Sequence, residues 1–481
     1  MQNYNLILDT DSYKISHYKQ YPFGDNFKTT GMFSYLESRG GKWDSTVFFG
    51  LQYILKEYLS KPVTMADVEE AKILSEAHGE PFNYDGWKYI VEQLGGKIPV
   101  RIRAVPEGTV VPVHNILMSC ESTDPNVPWV VSYIETLLMR CWYPITVATQ
   151  SREIKKLIYS YLDKTSDDPD AEISFKLHDF GCRGVSSYES AAWGGASHLV
   201  NFMGTDTVPA LKLLRDYYNT PMAGYSIPAA EHSTITSWGR DNEAKAYANM
   251  LKQYAKPGSI LAVVSDSYDI YNACEHIWGG ELRQQVIDSG ATLVIRPDSG
   301  DPTTVVSKCL HLLGKKFGYT VNSKGYRVLN NVRVIQGDGV NLNSIADILL
   351  AITDLGWSTS NVGFGCGGVL LQQVNRDTQK FAYKCSSMEM TFTDGSKNSI
   401  DVYKDPVTDH GKLSKRGRLD LVLIDGEYKT VQIKDDRSVH VPGSCMHTVF
   451  MNGDICIDDD LETIRQRSWN SNELDLAVGQ N

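Results

Sequence analysis

The chain has 481 residues, a formal net charge of −11 and nine scattered cysteines. Its length exceeds what one hydrophobic core usually serves, so two domains are expected. The acidic balance argues against a general nucleic-acid or anionic-membrane surface, which needs a basic face with displaceable counterions.

Several other features point to a soluble protein of the reducing cytosol. No apolar run approaches the roughly 18 residues that cross a bilayer. No Cys-x-x-Cys pair occurs, and Met1-Gln-Asn-Tyr-Asn lacks a basic region followed by an apolar stretch. Neither a zinc ribbon nor a disulfide framework is expected.

In chain order, residues 1–164 mix short strands with helices predicted over 49–60 and 65–78. The acidic stretch 163–172 marks a crossing into a different region. There Ile173–Leu177 reads as a strand running into His178-Asp179-Phe180-Gly181-Cys182-Arg183-Gly184. Helical apolar spacing follows over 208–218 and 243–254, before Ile260–Val264 runs into Ser265-Asp266-Ser267. A helix over 271–287 precedes the apolar run from Ala291, which ends abruptly in Arg296-Pro-Asp298-Ser-Gly300. Helices over 304–317 and 344–355 flank Val332–Ile335, which leads into Gln336-Gly337-Asp338-Gly339. Val362–Phe364 leads into Gly365-Cys366-Gly367-Gly368.

This alternation implies parallel βα units, about seven between 173 and 373, as a complete or irregular (β/α) barrel requires. An open doubly wound sheet is the alternative, although no Gly-x-Gly-x-x-Gly follows the first strand. Beyond 396, short antiparallel strands are expected at 400–403, 419–424 and 428–433, with Asp425-Gly426 as a turn. The resulting plan is a barrel over 165–390 and an α+β domain built from both chain ends, 1–164 and 391–481.

The chemistry concentrates at the strand ends, because a strand does not bury Arg and Asp without partners. Asp206, Asp266, Asp298 and Asp338 would repel one another on one rim unless cations intervene, which makes Mg²⁺ with a polyphosphate a natural occupant. Asp298 is the metal-side candidate; Arg296, two residues away on the same side of the strand, is either its neighbour in the site or its neutralising partner. The glycine tips at 337–339 and 365–368 bring backbone N–H groups close to an oxyanion. His232, within Ser226–Thr236, sits where Ser233 or Thr234 can cap a helix. Such an imidazole is either structural or able to accept a phosphoryl group as phosphohistidine. Phe180 can stack a flat heterocycle or belong to the core. Local positive charge is available at Arg183, Arg296 and Arg376 and in the loop 410–418, which reads equally well as a solvated loop.

Taken together, Lys176-Leu-His-Asp-Phe-Gly-Cys-Arg-Gly-Val-Ser-Ser187, Gly204-Thr-Asp-Thr207, Pro228-Ala-Ala-Glu-His-Ser-Thr-Ile-Thr236, Val264–Asn272, Ile295-Arg-Pro-Asp-Ser-Gly300 and Val334–Gly339 resemble the nicotinamide phosphoribosyltransferase family. The likeness extends to Asp9–Lys14, His17–Pro22, Trp142–Thr149 and Lys404–Val407. It implies the irregular barrel of the type II phosphoribosyltransferases, and transfer of 5-phosphoribosyl from 5-phosphoribosyl 1-pyrophosphate to nicotinamide in NAD salvage. Mg²⁺ and an obligate homodimer with shared sites come with it.

The resemblance implies that Phe180 and Tyr13 of a second subunit sandwich the ring, with Arg296 and Asp206 beside it. Asp206 would select nicotinamide over nicotinic acid by accepting N–H bonds from the amide. Arg183, Asp298, Gly337, Asp338, Gly367, Gly368 and Arg376 would surround the ribose phosphates. Arg39, Lys384, Lys404 and Lys412 match positions around pyrophosphate, and Asp266 would support from behind. His232 matches the histidine that takes the γ-phosphoryl of ATP. Two departures stand out: Ala262 replaces a Ser found in relatives, and the connection 40–46 is short. The alternatives are a nicotinate phosphoribosyltransferase, or a non-catalytic protein retaining the barrel.

Overall fold

The middle of the chain alternates strands of five residues or fewer with helices. In the computed structural model, which describes residues 4–408, 413–433 and 441–469, six such strands run parallel, the last four of them mainly apolar. They are β1 (Leu177–Asp179), β2 (Gly204–Thr205), β3 (Ile260–Val264), β4 (Thr292–Arg296), β5 (Val332–Gln336) and β6 (Val362–Cys366), arranged in the order β2-β1-β6-β5-β4-β3. They belong to a compact unit of residues 150–215 and 221–374.

The edges of the sheet are joined rather than left open. Tyr225 forms a parallel bridge with Gly204 of β2, and Ala229 forms one with Ala262 of β3. Thr205 N–H donates to Tyr225 O at 3.1 Å, and Ala262 N–H donates to Pro228 O at 2.9 Å. The stretch 225–230 therefore closes an irregular barrel, and the open doubly wound alternative falls.

The intervening helices start where the sequence provides caps. Asp301 accepts from Thr304 N–H at 2.8 Å ahead of Pro302–Phe317, with Pro302 in the first turn. Asn341 and Ser344 cap each other reciprocally at the start of Leu342–Asp354. The helix Glu243–Tyr254 has the predicted bounds. The strand expected at Ile173–Leu177 is a correction: Pro169–Ile173 is a helical turn, and β1 begins only at Leu177. Asp168 accepts from Ala171 N–H, and Pro169 supplies a pre-set φ at the first helical position, so the local helix signal prevails over the apolar run.

The other unit comprises residues 1–149, 216–220 and 375–481. Arg376 and Lys384, placed in the barrel by the sequence boundaries, fall in this unit. Its antiparallel sheet is drawn from both chain ends: Phe381–Phe392 pairs with Phe27–Ser38, which pairs with Ile116–Ser122, and Val100–Ala104 follows with His447–Met451 beyond. A separate ribbon pairs Arg418–Ile424 with Glu427–Ile433; Asp425 and Gly426 form its turn at φ 53° and 82°. The helix Met65–His78 is opened by the reciprocal cap of Thr64 and Asp67. Among the described residues no helix is long and apolar enough to cross a membrane.

Candidate active site

Side chains alternate across a strand, so Ile260, Ala262 and Val264 of β3 and Thr292, Val294 and Arg296 of β4 share the inward face of the barrel. Where those positions are small, at Ala229, Ala262 and Gly363, the interior stays open as a cavity of about 510 Å³. It runs from Phe180, Asp206 and Arg296 at the strands' C-terminal ends to Lys176 and Arg333 at their N-terminal ends. Its volume suits a small ring compound with room beyond it.

At the C-terminal mouth, Phe180 is fixed through its backbone: its N–H donates to Cys366 O at 2.9 Å. Its ring occupies the space left by Gly365, where an added Cβ would lie 1.9 Å from ring atom Cε2. The Arg296 guanidinium lies 5.6 Å from the ring centroid. Arg296 and Asp298 realise the mutual pairing left open above, with Nε and Nη2 donating to Asp298 Oδ1 at 3.0 and 2.8 Å. Gly337 packs on this pair; a Cβ there would approach Arg296 Nε to 3.0 Å.

Asp266 organises the next layer. Its side chain is only 4% exposed. Its Oδ2 accepts from Asp298 N–H at 3.1 Å and Ser299 Oγ at 2.5 Å, while Oδ1 meets His232 Nε2 at 2.9 Å. His232 Nδ1 lies 4.0 Å from Asp298 Oδ2, and its side chain is 47% exposed. One ring nitrogen is thus held by a buried carboxylate and the other stays reachable. Among the described residues no group of three or more His, Cys, Asp or Glu could itself cage a metal. Asp298 Oδ2, the oxygen not bonded to Arg296, suits an Mg²⁺ that takes most of its shell from phosphate and water.

Asp206, at the end of β2, is exposed to the cavity and accepts from Ser226 Oγ at 2.6 Å. Behind it, burial lowers the pKa of His178, against the pull of Asp206. The His178 ring lies against Gly204, where a Cβ would come within 2.5 Å of Nδ1. Asp179 is fully buried and pushed up to about 6, mainly by desolvation, while Gly181 N–H donates to its Oδ1 at 2.7 Å.

The loop bearing Arg183 packs on the other glycine tip. A Cβ on Gly184 would lie 3.1 Å from Gly368 Cα, and one on Gly181 would lie 2.9 Å from Gly367 O. Arg183, Gly367 and Gly368 are therefore brought together, and only glycines permit it. Asp338 is exposed on the β5 tip.

The other unit carries the remaining candidates. Tyr13 is 56% exposed. Arg39 Nε donates to Glu37 Oε1 at 2.8 Å, and Lys415 binds the same carboxylate. Lys384 has its pKa lowered by burial, despite Glu135, with Arg39, Lys14 and Arg376 adding like charge. Arg376 and Lys404 are exposed. Lys412 lies outside the described residues.

Sequence reasoning passed over Ser226, His178 and Ser299 as individuals, although all three stand inside the quoted motifs. Their signal is a polar residue inside or just beyond a motif at the strands' C-terminal rim.

Comparison with known proteins agrees with this geometry. A model of the nicotinate phosphoribosyltransferase (NAPRTase) family matches residues 175–454, and one of the nicotinamide phosphoribosyltransferase N-terminal domain matches residues 5–102. A nicotinamide phosphoribosyltransferase of Xanthomonas campestris pv. campestris is 59% identical over 96% of this chain and 97% of its own. One from Acinetobacter baylyi is 30% identical over the same shares. Among solved structures, nicotinate-nucleotide pyrophosphorylase from Pyrococcus furiosus aligns over 98% of this chain and 97% of its own, with a TM-score of 0.58 at 14% identity. Human nicotinic acid phosphoribosyltransferase aligns over 96% and 93%, with a TM-score of 0.54 at 15% identity. These two show the fold. With an aromatic ring, an acid and a guanidinium at one barrel mouth and full-length relatives of this kind, the chain belongs to the nicotinate phosphoribosyltransferase family, together with its nicotinamide phosphoribosyltransferase members.

Proposed function

We propose that the chain transfers 5-phosphoribosyl from 5-phosphoribosyl 1-pyrophosphate to nicotinamide, releasing nicotinamide mononucleotide and pyrophosphate. The observation that carries this reading is Asp206 exposed to the cavity that also receives Phe180 and Arg296. The pyridine ring stacks on Phe180, and a carboxylate beside its substituent accepts from an amide but repels a carboxylate. The pyridine nitrogen attacks C1 of the ribose as the free base, so no strong general base is required. What the reaction needs is orientation of ring and sugar, and stabilisation of the departing pyrophosphate. Arg183 with Gly367 and Gly368, and Asp338 on the β5 tip, suit the phosphate end. Mg²⁺ beside Asp298 would neutralise charge on the leaving group.

His232 suits the coupling of ATP hydrolysis to the transfer. With Nε2–H directed at Asp266, the lone pair resides on Nδ1, which attacks the γ-phosphorus as ADP departs. The charge so placed would favour bound Mg²⁺ and hold substrate more tightly. Tyr13 reaches the ring from a second subunit in this reading, which requires a homodimer. The nine cysteines are free thiols, in keeping with a reducing cytoplasm.

The test measures pyrophosphate release with nicotinamide and with nicotinic acid, each with and without ATP. Turnover of nicotinamide, stimulated by ATP, is expected. Preference for nicotinic acid would move the assignment to a nicotinate phosphoribosyltransferase, and no release with either base would leave a non-catalytic protein.

A further inference from the structure

We propose that Ser226 is a specificity-determining positioning residue, one that converts the Asp206 corner of the cavity into a face offering only hydrogen-bond acceptors. The inference rests on the reading of Asp206 given above and extends it to a second residue.

The argument starts from the barrel closure. Ser226 belongs to the stretch 225–230 that joins the two sheet edges, and its backbone is fastened on both flanks. Tyr225 N–H donates to Met203 O at 2.7 Å, and Ala230 N–H donates to Ala262 O at 3.0 Å. A serine on such a support has little freedom beyond the rotation of its own side chain. Its hydroxyl donates to Asp206 Oδ1 at 2.6 Å, and both side chains line the cavity.

A hydroxyl has one proton and two lone pairs. Next to an ionised carboxylate, which can only accept, that proton is committed to the carboxylate. The Ser226 oxygen then presents lone pairs to the cavity, and Asp206 Oδ2 presents more. Nicotinamide carries two amide N–H donors on one nitrogen and can satisfy both acceptors. Nicotinic acid has none, so its carboxylate would confront the Asp206 charge and the Ser226 lone pairs together. Without Ser226, the Asp206 side chain would be free to turn and the amide would lose one acceptor.

The substitution Asp206→Asn inverts the logic. The side-chain amide it introduces can donate an N–H to Ser226, which releases the hydroxyl proton toward the cavity. The same serine would then favour a carboxylate. Ser226 therefore acts in opposite directions depending on its neighbour, which no purely structural role produces.

The experiment uses the full chain as Ser226→Ala, Ser226→Thr, Asp206→Asn and the double variant Ser226→Ala with Asp206→Asn. For each, kcat and KM are measured with nicotinamide and with nicotinic acid at saturating 5-phosphoribosyl 1-pyrophosphate, and thermal unfolding is recorded. With Asp206 present, Ser226→Ala should raise KM for nicotinamide roughly tenfold, as for loss of one hydrogen bond at a charged site, with kcat moving much less. Ser226→Thr, which keeps the hydroxyl, should restore it. In the Asp206→Asn background the same alanine should lower turnover of nicotinic acid instead.

Unchanged kinetics in Ser226→Ala, an equal loss for both bases, or a failure of threonine to restore an otherwise folded enzyme would each overturn the proposal. If Asp206→Asn leaves base preference as it was, the reading of Asp206 itself fails. If Asp206→Asn shifts preference but the effect of Ser226→Ala keeps one sign, only the role of Ser226 fails.

Discussion

Gly365→Ala tests whether Phe180 is the platform for the base. The added Cβ would stand 1.9, 2.3 and 2.7 Å from three atoms of the Phe180 ring. Carbon atoms pack at about 3.5–4.0 Å, so the ring must retreat by roughly 1.5 Å or more. The backbone of Phe180 cannot follow easily, because its N–H is bonded to Cys366 O at 2.9 Å. The ring must instead rotate out of its present site. Stacking a heterocycle on an aromatic side chain is worth about 1–3 kcal/mol. Losing it should raise KM for nicotinamide about 5- to 150-fold, with a much smaller change for 5-phosphoribosyl 1-pyrophosphate. Overpacking itself costs about 1–3 kcal/mol of stability, so unfolding is followed alongside steady-state kinetics. A folded Gly365→Ala enzyme with wild-type KM for nicotinamide would refute the placement of the base on this ring, as would an equal rise for both substrates.

The remaining predictions concern coupling, acidity and the buried ions. His232→Ala should bring the ratio of rates with and without ATP to about one, whatever the basal rate, because the accepting nitrogen is gone; retained stimulation in a pyrophosphate-release assay would exclude it as the acceptor. Asp179 has a folded-state value pushed up to about 6, so the folded chain binds its proton more tightly than the unfolded chain between about pH 4 and 6. Its contribution to stability therefore falls as pH rises through that window, by about 3 kcal/mol in all. Asp179→Asn should remove that slope from the unfolding midpoint and gain stability at neutral pH, and an unchanged pH profile would contradict it. Glu121, 5% exposed, lies between Arg101 and Arg418, with Arg418 7% exposed. Glu121→Gln leaves buried Arg418 without its anion and part-exposed Arg101 beside it, and should cost about 3–5 kcal/mol by denaturant titration.

Much of the barrel was legible because its signals are local. The helices expected over 304–317 and 344–355 stand as Pro302–Phe317 and Leu342–Asp354, whose caps Asp301 and Asn341 set the starts two residues earlier, and Val332–Ile335 lies within β5. Local signals also explain the misplaced first strand. Ile173–Leu177 is apolar enough for a strand, but Asp168-Pro169 had already committed the chain to a helical turn. Closure was not legible. Tyr225-Ser-Ile-Pro-Ala229 has no strand periodicity and contains a proline, yet its few backbone bonds to β2 and β3 complete the ring.

The site shows the same division between local chemistry and long-range geometry. The two-residue spacing of Arg296 and Asp298 left open whether they pair or stand side by side in the site, and the structure pairs them through two hydrogen bonds just past the end of β4. The hub role of Asp266 requires two segments distant in the chain, one with His232 and one with Asp298 and Ser299, to meet it, which no spacing in the chain encodes. The glycines are intermediate. Gly365 and Gly367 read as anion-binding backbone, but Gly365 has another task, since its missing Cβ is the space that the Phe180 ring occupies. The open interior follows from the same economy of side chains. A barrel normally fills its axis with layers of branched residues. Here Ala229, Ala262 and Gly363 withdraw that filling, so the cavity reaches from Asp206 toward Lys176 and Arg333. Restoring bulk at Ala262 should therefore act on the base rather than on folding alone, because that side chain lines the cavity that receives Asp206 and Phe180.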